Sequence, residues 1–202
     1  MLKEEFMQIT SVLEKSRQEV FLRRARASLP LKIAMAAGVA ALIGLAAQVR
    51  LPLPFTPVPL TGQTFAVLLA GVLLGRKWGG ISMAIYMVLG LVGVPWFNGA
   101  TSGFGASCGY LLGFILAALF IGRMTDGKAA GFAKLFGLML CASLILHIPG
   151  LIWLGAWLNL VTASPTSIVG IISMGFIPFI AGDILKAAMA AAAARVILPK
   201  SR

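Results

Sequence analysis

The chain has 202 residues, 59% of them hydrophobic and only 11% charged, with a mean hydropathy of +0.97. Soluble domains carry about 25% charged residues, so the composition excludes a water-soluble globular protein and indicates an integral membrane one. The formal net charge of +11 would suit a nucleic-acid binder, but the cations cluster at the ends of apolar runs, where membrane topology accounts for them. No nucleic-acid partner is expected.

Residues 1–29 read as a basic amphipathic arm, with Val12, Val20, Phe21 and Leu22 set among Lys15, Arg17, Arg23, Arg24 and Arg26. Such a segment suits an anionic cytoplasmic membrane surface; a disordered tail is the other reading of the same composition. Its mixed, charged start predicts no cleavable signal sequence. Residues 30–202 read as one transmembrane domain, whose first apolar span covers 33–49. A proline-dense loop follows, Arg50-Leu-Pro-Leu-Pro-Phe-Thr-Pro-Val-Pro-Leu-Thr61. Proline at this density excludes helix and favours a stiff, extended segment. Further spans are expected at 62–74, 80–94, 109–121, 132–158 and 168–198, the fifth interrupted at Pro149-Gly150 and the sixth carrying Pro178 near its start. Several are shorter than the ~20 residues a perpendicular helix needs, which is tolerated where helices line a cavity.

Lysine and arginine alternate between rich and poor connections. Seven precede the first span, ending at Lys32; Arg76 and Lys77 follow the second, Arg123, Lys128 and Lys134 the fourth, and Arg195, Lys200 and Arg202 close the chain. The proline loop carries only Arg50, and the connections after spans three and five carry none. The positive-inside rule then predicts six transmembrane helices with the N and C termini cytoplasmic. This is the pattern of a multi-pass protein of the cytoplasmic (cell) membrane.

Asp183 is the single carboxylate within the hydrophobic segments, and Lys186 lies three residues on. An ionisable side chain in hydrocarbon costs about 2.5–3.5 kcal/mol on insertion scales, so such groups face polar cavities and mark sites. The spacing puts both on one helix face. An acceptor beside a cation suits a small ligand with N–H donors and a carboxylate; mutual neutralisation in a structural pair is the alternative. The marks of an enzyme are missing. There is one histidine, His147, and no His-Glu-x-x-His, Gly-x-Ser-x-Gly or P-loop pattern. His147 reads as a packing residue rather than a general base, and an enzyme built on Asp183 and His147 is the competing class. Cys108 and Cys141 form no ligand cluster, so no catalytic residue, metal or cofactor is expected. In span one, Ala36, Ala40 and Gly44 form a small-residue ridge, suited either to close internal packing or to an approaching partner helix.

Three separated segments, in order, resemble the BioY family: Leu-Pro-Phe-Thr-Pro-Val-Pro-Leu-Thr-Gly-Gln-Thr-Phe-Ala-Val-Leu-Leu-Ala-Gly at 53–71, Gly-Tyr-Leu-Leu-Gly-Phe at 109–114 and Pro-Phe-Ile-Ala-Gly-Asp-Ile-Leu-Lys at 178–186. The likeness runs from about 31 to 198 and departs at 105–110, where Gly-Ala-Ser-Cys-Gly-Tyr stands for Gly-Pro-Thr-Gly-Gly-Tyr. BioY proteins are biotin-binding S components of energy-coupling factor (ECF) transporters. The resemblance implies the all-α S-component fold of six transmembrane helices, with a ligand site near the outer face under the first loop. It implies contacts to biotin from Asp183 and Lys186, with Asn98, Tyr86, Tyr110 and Gln63 contributing and Thr61 nearby. It implies biotin captured outside and delivered inward with a transmembrane coupling subunit and two ATPases, which would hydrolyse the ATP. The ridge of Ala36, Ala40 and Gly44 would dock that coupling subunit. A solitary carrier working without ATPases is the alternative. Biotin enters here as ligand, not cofactor. Its ureido N–H suits Asp183 as acceptor, and Asn98 offers both donor and acceptor. Tyr86, Tyr110, Phe55, Trp96 and Phe97 suit its apolar ring or, alternatively, a lipid-interface belt. Arg50 or helix-end N–H groups are candidates for its carboxylate.

Overall fold

The computed structural model describes residues 2–126 and 130–198. Lys128, Lys200 and Arg202, counted above for topology, lie outside the described residues, and the side chains of Val20 and Phe21 are not among those described. Helix α1 (Leu2–Arg26) precedes α2 (Leu29–Gln48), which carries Pro30 in its first turn, where a missing N–H costs nothing. Short strands β1 (Arg50–Leu51) and β2 (Leu60–Thr61) pair antiparallel, Arg50 opposite Thr61, and pinch the proline loop at its base.

Helix α3 (Gln63–Leu91) is two helices in one. A straight run would hold Gln63 and Tyr86 about 35 Å apart at 1.5 Å per residue, yet Gln63 Nε2 donates to Tyr86 Oη at 2.8 Å. The chain reverses at Gly75 (φ 74°), a conformation glycine alone adopts cheaply. The two limbs, 63–74 and 76–91, then lie close: a side chain on Gly79 would sit 3.2 Å from the Gly71 Cα. Spans two and three are thus joined by a tighter turn than their sequence limits suggest. With α4 (Cys108–Thr125), α5 (Phe132–Ala156) and the pair α6 (Ile168–Gly175) and α7 (Ile180–Ile197), the described residues make six apolar crossings. The fold is all-α and transmembrane.

One proline expectation is reversed, and the other proline proves to break its span. The fifth span is not interrupted at Pro149-Gly150: α5 passes through Pro149 and ends in a π turn, Trp157–Val161. One missing N–H and a local bend are tolerated inside a bundle that can re-satisfy the backbone. The sixth span is instead broken at Pro178, where a 3₁₀ turn (Ile177–Phe179) separates α6 from α7. The Phe179 N–H bonds Phe176 O there, so Gly175 O loses its helical partner.

The small-residue ridge points the other way from the partner-docking expectation. Ala36 and Ala40 are fully buried and Gly44 is buried as well. Ser82 Oγ donates to Ala36 O at 2.8 Å, and a side chain at Gly44 would stand 3.1 Å from Trp96 Cβ. These residues let α2 approach the second limb of α3 and the chain beyond it. The face of α2 left exposed carries Ala34, Ala37, Gly38 and Ala41.

At one end of the bundle, Arg24 joins three elements. Its guanidinium donates to Leu73 O at 2.9 Å and Val72 O at 3.3 Å, and pairs with Asp126 Oδ1 at 2.5 Å. A cation there meets unsatisfied carbonyls and the negative end of the first α3 limb. The end of α1 and the Gly75 turn lie at this end of the bundle; the proline loop and the 92–107 connection lie at the other. Because Ala40 is enclosed and Ala41 exposed, Ala40→Leu should destabilise the purified protein by about 1–3 kcal/mol through overpacking, while Ala41→Leu should stay within about 0.5 kcal/mol. Unfolding in detergent, followed side by side, checks this; equal effects would contradict the inward face.

Candidate functional site

A cavity of about 360 Å³ opens at the end away from Arg24. Its size falls in the lower part of the range for small-molecule sites, about 300–1,000 Å³. The proline loop supplies Pro57, Val58, Pro59 and Thr61; the limbs of α3 supply Gln63, Thr64 and Tyr86; the 97–107 connection supplies Phe97 and Asn98. Helix α4 adds Cys108, Tyr110, Leu111 and Phe114, α5 adds Leu146 and His147, and the far wall is Phe179, Asp183 and Lys186. All six sequence candidates for ligand contact, Asp183, Lys186, Asn98, Tyr86, Tyr110 and Gln63, therefore border one space.

The break at Pro178 places the charged group. It starts α7 inside the bundle, with Asp183 in its first turn, where the helix dipole favours negative charge. Asp183 is buried, 6% exposed. Lys186 Nζ lies 3.4 Å from its Oδ1 and His147 Nε2 3.5 Å from its Oδ2. The carboxylate thus has a cationic or basic group on each oxygen and lone pairs to spare. The carbonyl orphaned by the break, Gly175 O, accepts from Tyr110 Oη at 2.7 Å. Tyr110 presents its ring to the cavity while its hydroxyl holds the break.

Tyr86 is similarly committed. Its hydroxyl accepts from Gln63 Nε2 and donates to Trp96 O at 3.2 Å, and its ring packs on Trp96 and Phe97, 5.3 and 5.4 Å between centroids. Phe97 is buried against Gly90, while Phe55 is 58% exposed and does not line the cavity. Arg50 lies against Gly99 rather than on the cavity wall. Asn98 makes no side-chain hydrogen bond among the described residues, so its amide is open to the cavity.

Three contributors were not read from the sequence as site residues. His147 was set aside as packing, although the rule that singled out Asp183, an ionisable group within an apolar span, applied to it equally. Gln48 clasps the outer connection: its amide donates to Gly44 O at 2.9 Å and Phe97 O at 3.1 Å and accepts from Ala100 N at 2.9 Å, bracketing Asn98. Cys108, the departure from the family pattern, replaces a cap: its Sγ accepts from Gly105 N at 3.1 Å. Trp153 Nε1 donates to Gly105 O at 2.8 Å on the other side, so the lip at 103–108 is held from two helices.

The sequence profile of the BioY family matches residues 17–202. A probable biotin transporter BioY of Methanothermobacter thermautotrophicus is 45% identical over 139 residues, covering 65% of this chain and 88% of that protein. A probable biotin transporter BioY of Pyrococcus horikoshii is 35% identical over 163 residues, covering 79% of this chain and 91% of the relative. Among solved structures, the S component for biotin from an ECF-type ABC transporter superposes with a TM-score of 0.69 at 25% identity, over 81% of this chain and 88% of that one.

Removing the Tyr110 hydroxyl leaves a buried carbonyl without a donor. Tyr110→Phe should destabilise the protein by about 1–3 kcal/mol, read from unfolding in detergent. An unchanged stability would mean that the α6–α7 break does not rest on this bond.

Proposed function

The chain belongs to the BioY family, and we propose that it is a biotin-binding S component of the cytoplasmic membrane, taking biotin from outside and passing it inward with an ECF module. The observation that carries this reading is the cavity of mixed aromatic and polar lining with the bundle's one membrane-buried carboxylate at its wall. Its relatives are named as transporters, and transport needs what this cavity offers: enclosure and selective contacts, without a reacting group.

Each part of the ligand has a matching partner. A ureido N–H donates to Asp183, a charge-assisted bond. Lys186 and the open Asn98 amide serve the ureido carbonyl. The rings of Tyr86, Tyr110 and Phe97 flank the apolar thioether ring, their polar groups being already engaged within the protein or absent. Pro57, Val58 and Pro59 form the roof, and a stiff proline loop loses little entropy on closing. Energy for release inward comes from ATP hydrolysis by partner ATPases. With Ala36, Ala40 and Gly44 turned inward, the coupling subunit approaches the opposite face of α2, where Ala37, Gly38 and Ala41 permit close helix contact.

Two experiments test this. Calorimetry on the purified protein should give tight biotin binding that Asp183→Asn weakens by about 1.5–3 kcal/mol, the value of a hydrogen bond to a charged group; an undiminished affinity would remove Asp183 from the site. Gly38→Trp on the exposed face of α2 should leave biotin affinity unchanged and abolish biotin uptake in cells that carry the coupling module. Uptake at the wild-type rate would place the partner elsewhere.

A further inference from the structure

The chain has a single histidine, and its surroundings specify more than packing. His147 Nδ1 lies 2.7 Å from Ser143 O, one turn back on α5. A carbonyl oxygen can only accept, so Nδ1 carries hydrogen. In a neutral ring that leaves an unprotonated Nε2 beside Asp183 Oδ2, 3.5 Å away, with both side chains under 10% exposed. Two acceptors opposed in a dry site repel; one proton between them turns the contact attractive. The ammonium of Lys186 stands on the other carboxylate oxygen, 3.4 Å away.

We propose that His147 is a positioning residue for Asp183 and acts in its doubly protonated form, so that a ligand with N–H groups binds when this ring holds a proton. The ligand in this statement rests on the biotin reading; the tautomer and the pairing do not. The rings of Phe176 and Tyr110 lie nearly perpendicular to the imidazole at centroid distances of 5.0 and 5.7 Å and enclose it on the apolar side. The titratable and charged groups that share the cavity with His147 are Cys108 and Tyr110 from α4, Asp183 and Lys186 from α7 and, across the cavity, Tyr86 from α3. The α6–α7 break contributes Phe176 and Phe179. Pinned at Oδ2 by the imidazolium and at Oδ1 by Lys186, the carboxylate cannot turn away from the cavity.

The sign of the pH dependence follows. Above the ring's titration a proton must be taken up for binding to occur, so affinity falls by about tenfold per pH unit. Since no second histidine exists, the effect is attributable. The test uses ¹⁵N-histidine-labelled full-length protein in detergent, over about pH 5.5–8.5, the range in which histidine titrates. Nitrogen–proton correlation spectra give the charge and tautomer of the ring, and calorimetry gives biotin affinity for wild type and His147→Gln. Expected are a neutral tautomer protonated at Nδ1, a loss of biotin affinity that tracks the ring's titration, and a flat profile in the Gln variant. A neutral tautomer protonated at Nε2, a wild-type affinity that stays flat while the ring titrates, or a slope that survives in His147→Gln would overturn the proposal. If no biotin binds at any pH, the biotin reading falls, and the tautomer alone decides the pairing: Nδ1–H upholds it, Nε2–H sinks it.

Discussion

A carboxylate buried among six apolar helices is the constraint around which the rest of this fold is arranged. An isolated charge in that setting is very costly, and it persists only with compensation. Asp183 has that compensation from three directions: Lys186 on one oxygen, His147 on the other, and the N-terminus of α7, which exists because the chain breaks at Pro178. The break has its own cost, an orphaned carbonyl, which Tyr110 offsets. Tyrosine, histidine and lysine, drawn from three helices, and the proline between α6 and α7 thus serve one acid.

The opposite wall is built for shape. The reversal at Gly75 brings Gln63 beside Tyr86, and the hydrogen-bonded line Thr61, Gln63, Tyr86 and Trp96 O fixes aromatic rings without leaving their polar atoms unmatched. Gln48 ties the outer connection to the end of α2, and the β1–β2 pair closes the base of the proline loop. The cavity is bordered by a polar set, Asp183, Lys186, Asn98 and His147 with the hydroxyls of Thr64, Ser102 and Ser107, set among aromatic and aliphatic side chains. That is the composition of a recognition site for one small solute.

The crossings and their alternation were legible because charge position is a strong signal in membrane proteins, and Asp183 and Lys186 stood out because ionisable groups are rare in apolar runs. Helix facing was not legible. Lipid tails are as apolar as a protein core, so hydropathy could not say whether Ala36, Ala40 and Gly44 look inward or outward; only the neighbours Ser82 and Trp96 decide it. Nor does a proline announce its effect: Pro149 is absorbed within α5 while Pro178 breaks the sixth span. The difference lies in whether a donor such as Tyr110 stands ready for a freed carbonyl, a fact of tertiary structure. His147 was readable by the rule applied to Asp183 and was passed over because one histidine suggests no catalytic pair, a criterion that belongs to enzymes and not to binding sites.

The central claim is that the charged cluster of α5 and α7 exists to hold a ligand rather than to neutralise itself. The most direct test is an experimental structure of the protein with biotin bound. The account predicts the ureido ring against Asp183, between the rings of Tyr86 and Tyr110, with Asn98 within hydrogen-bonding distance. Biotin seated elsewhere, with Asp183, Lys186 and His147 bonded only to one another, would contradict it.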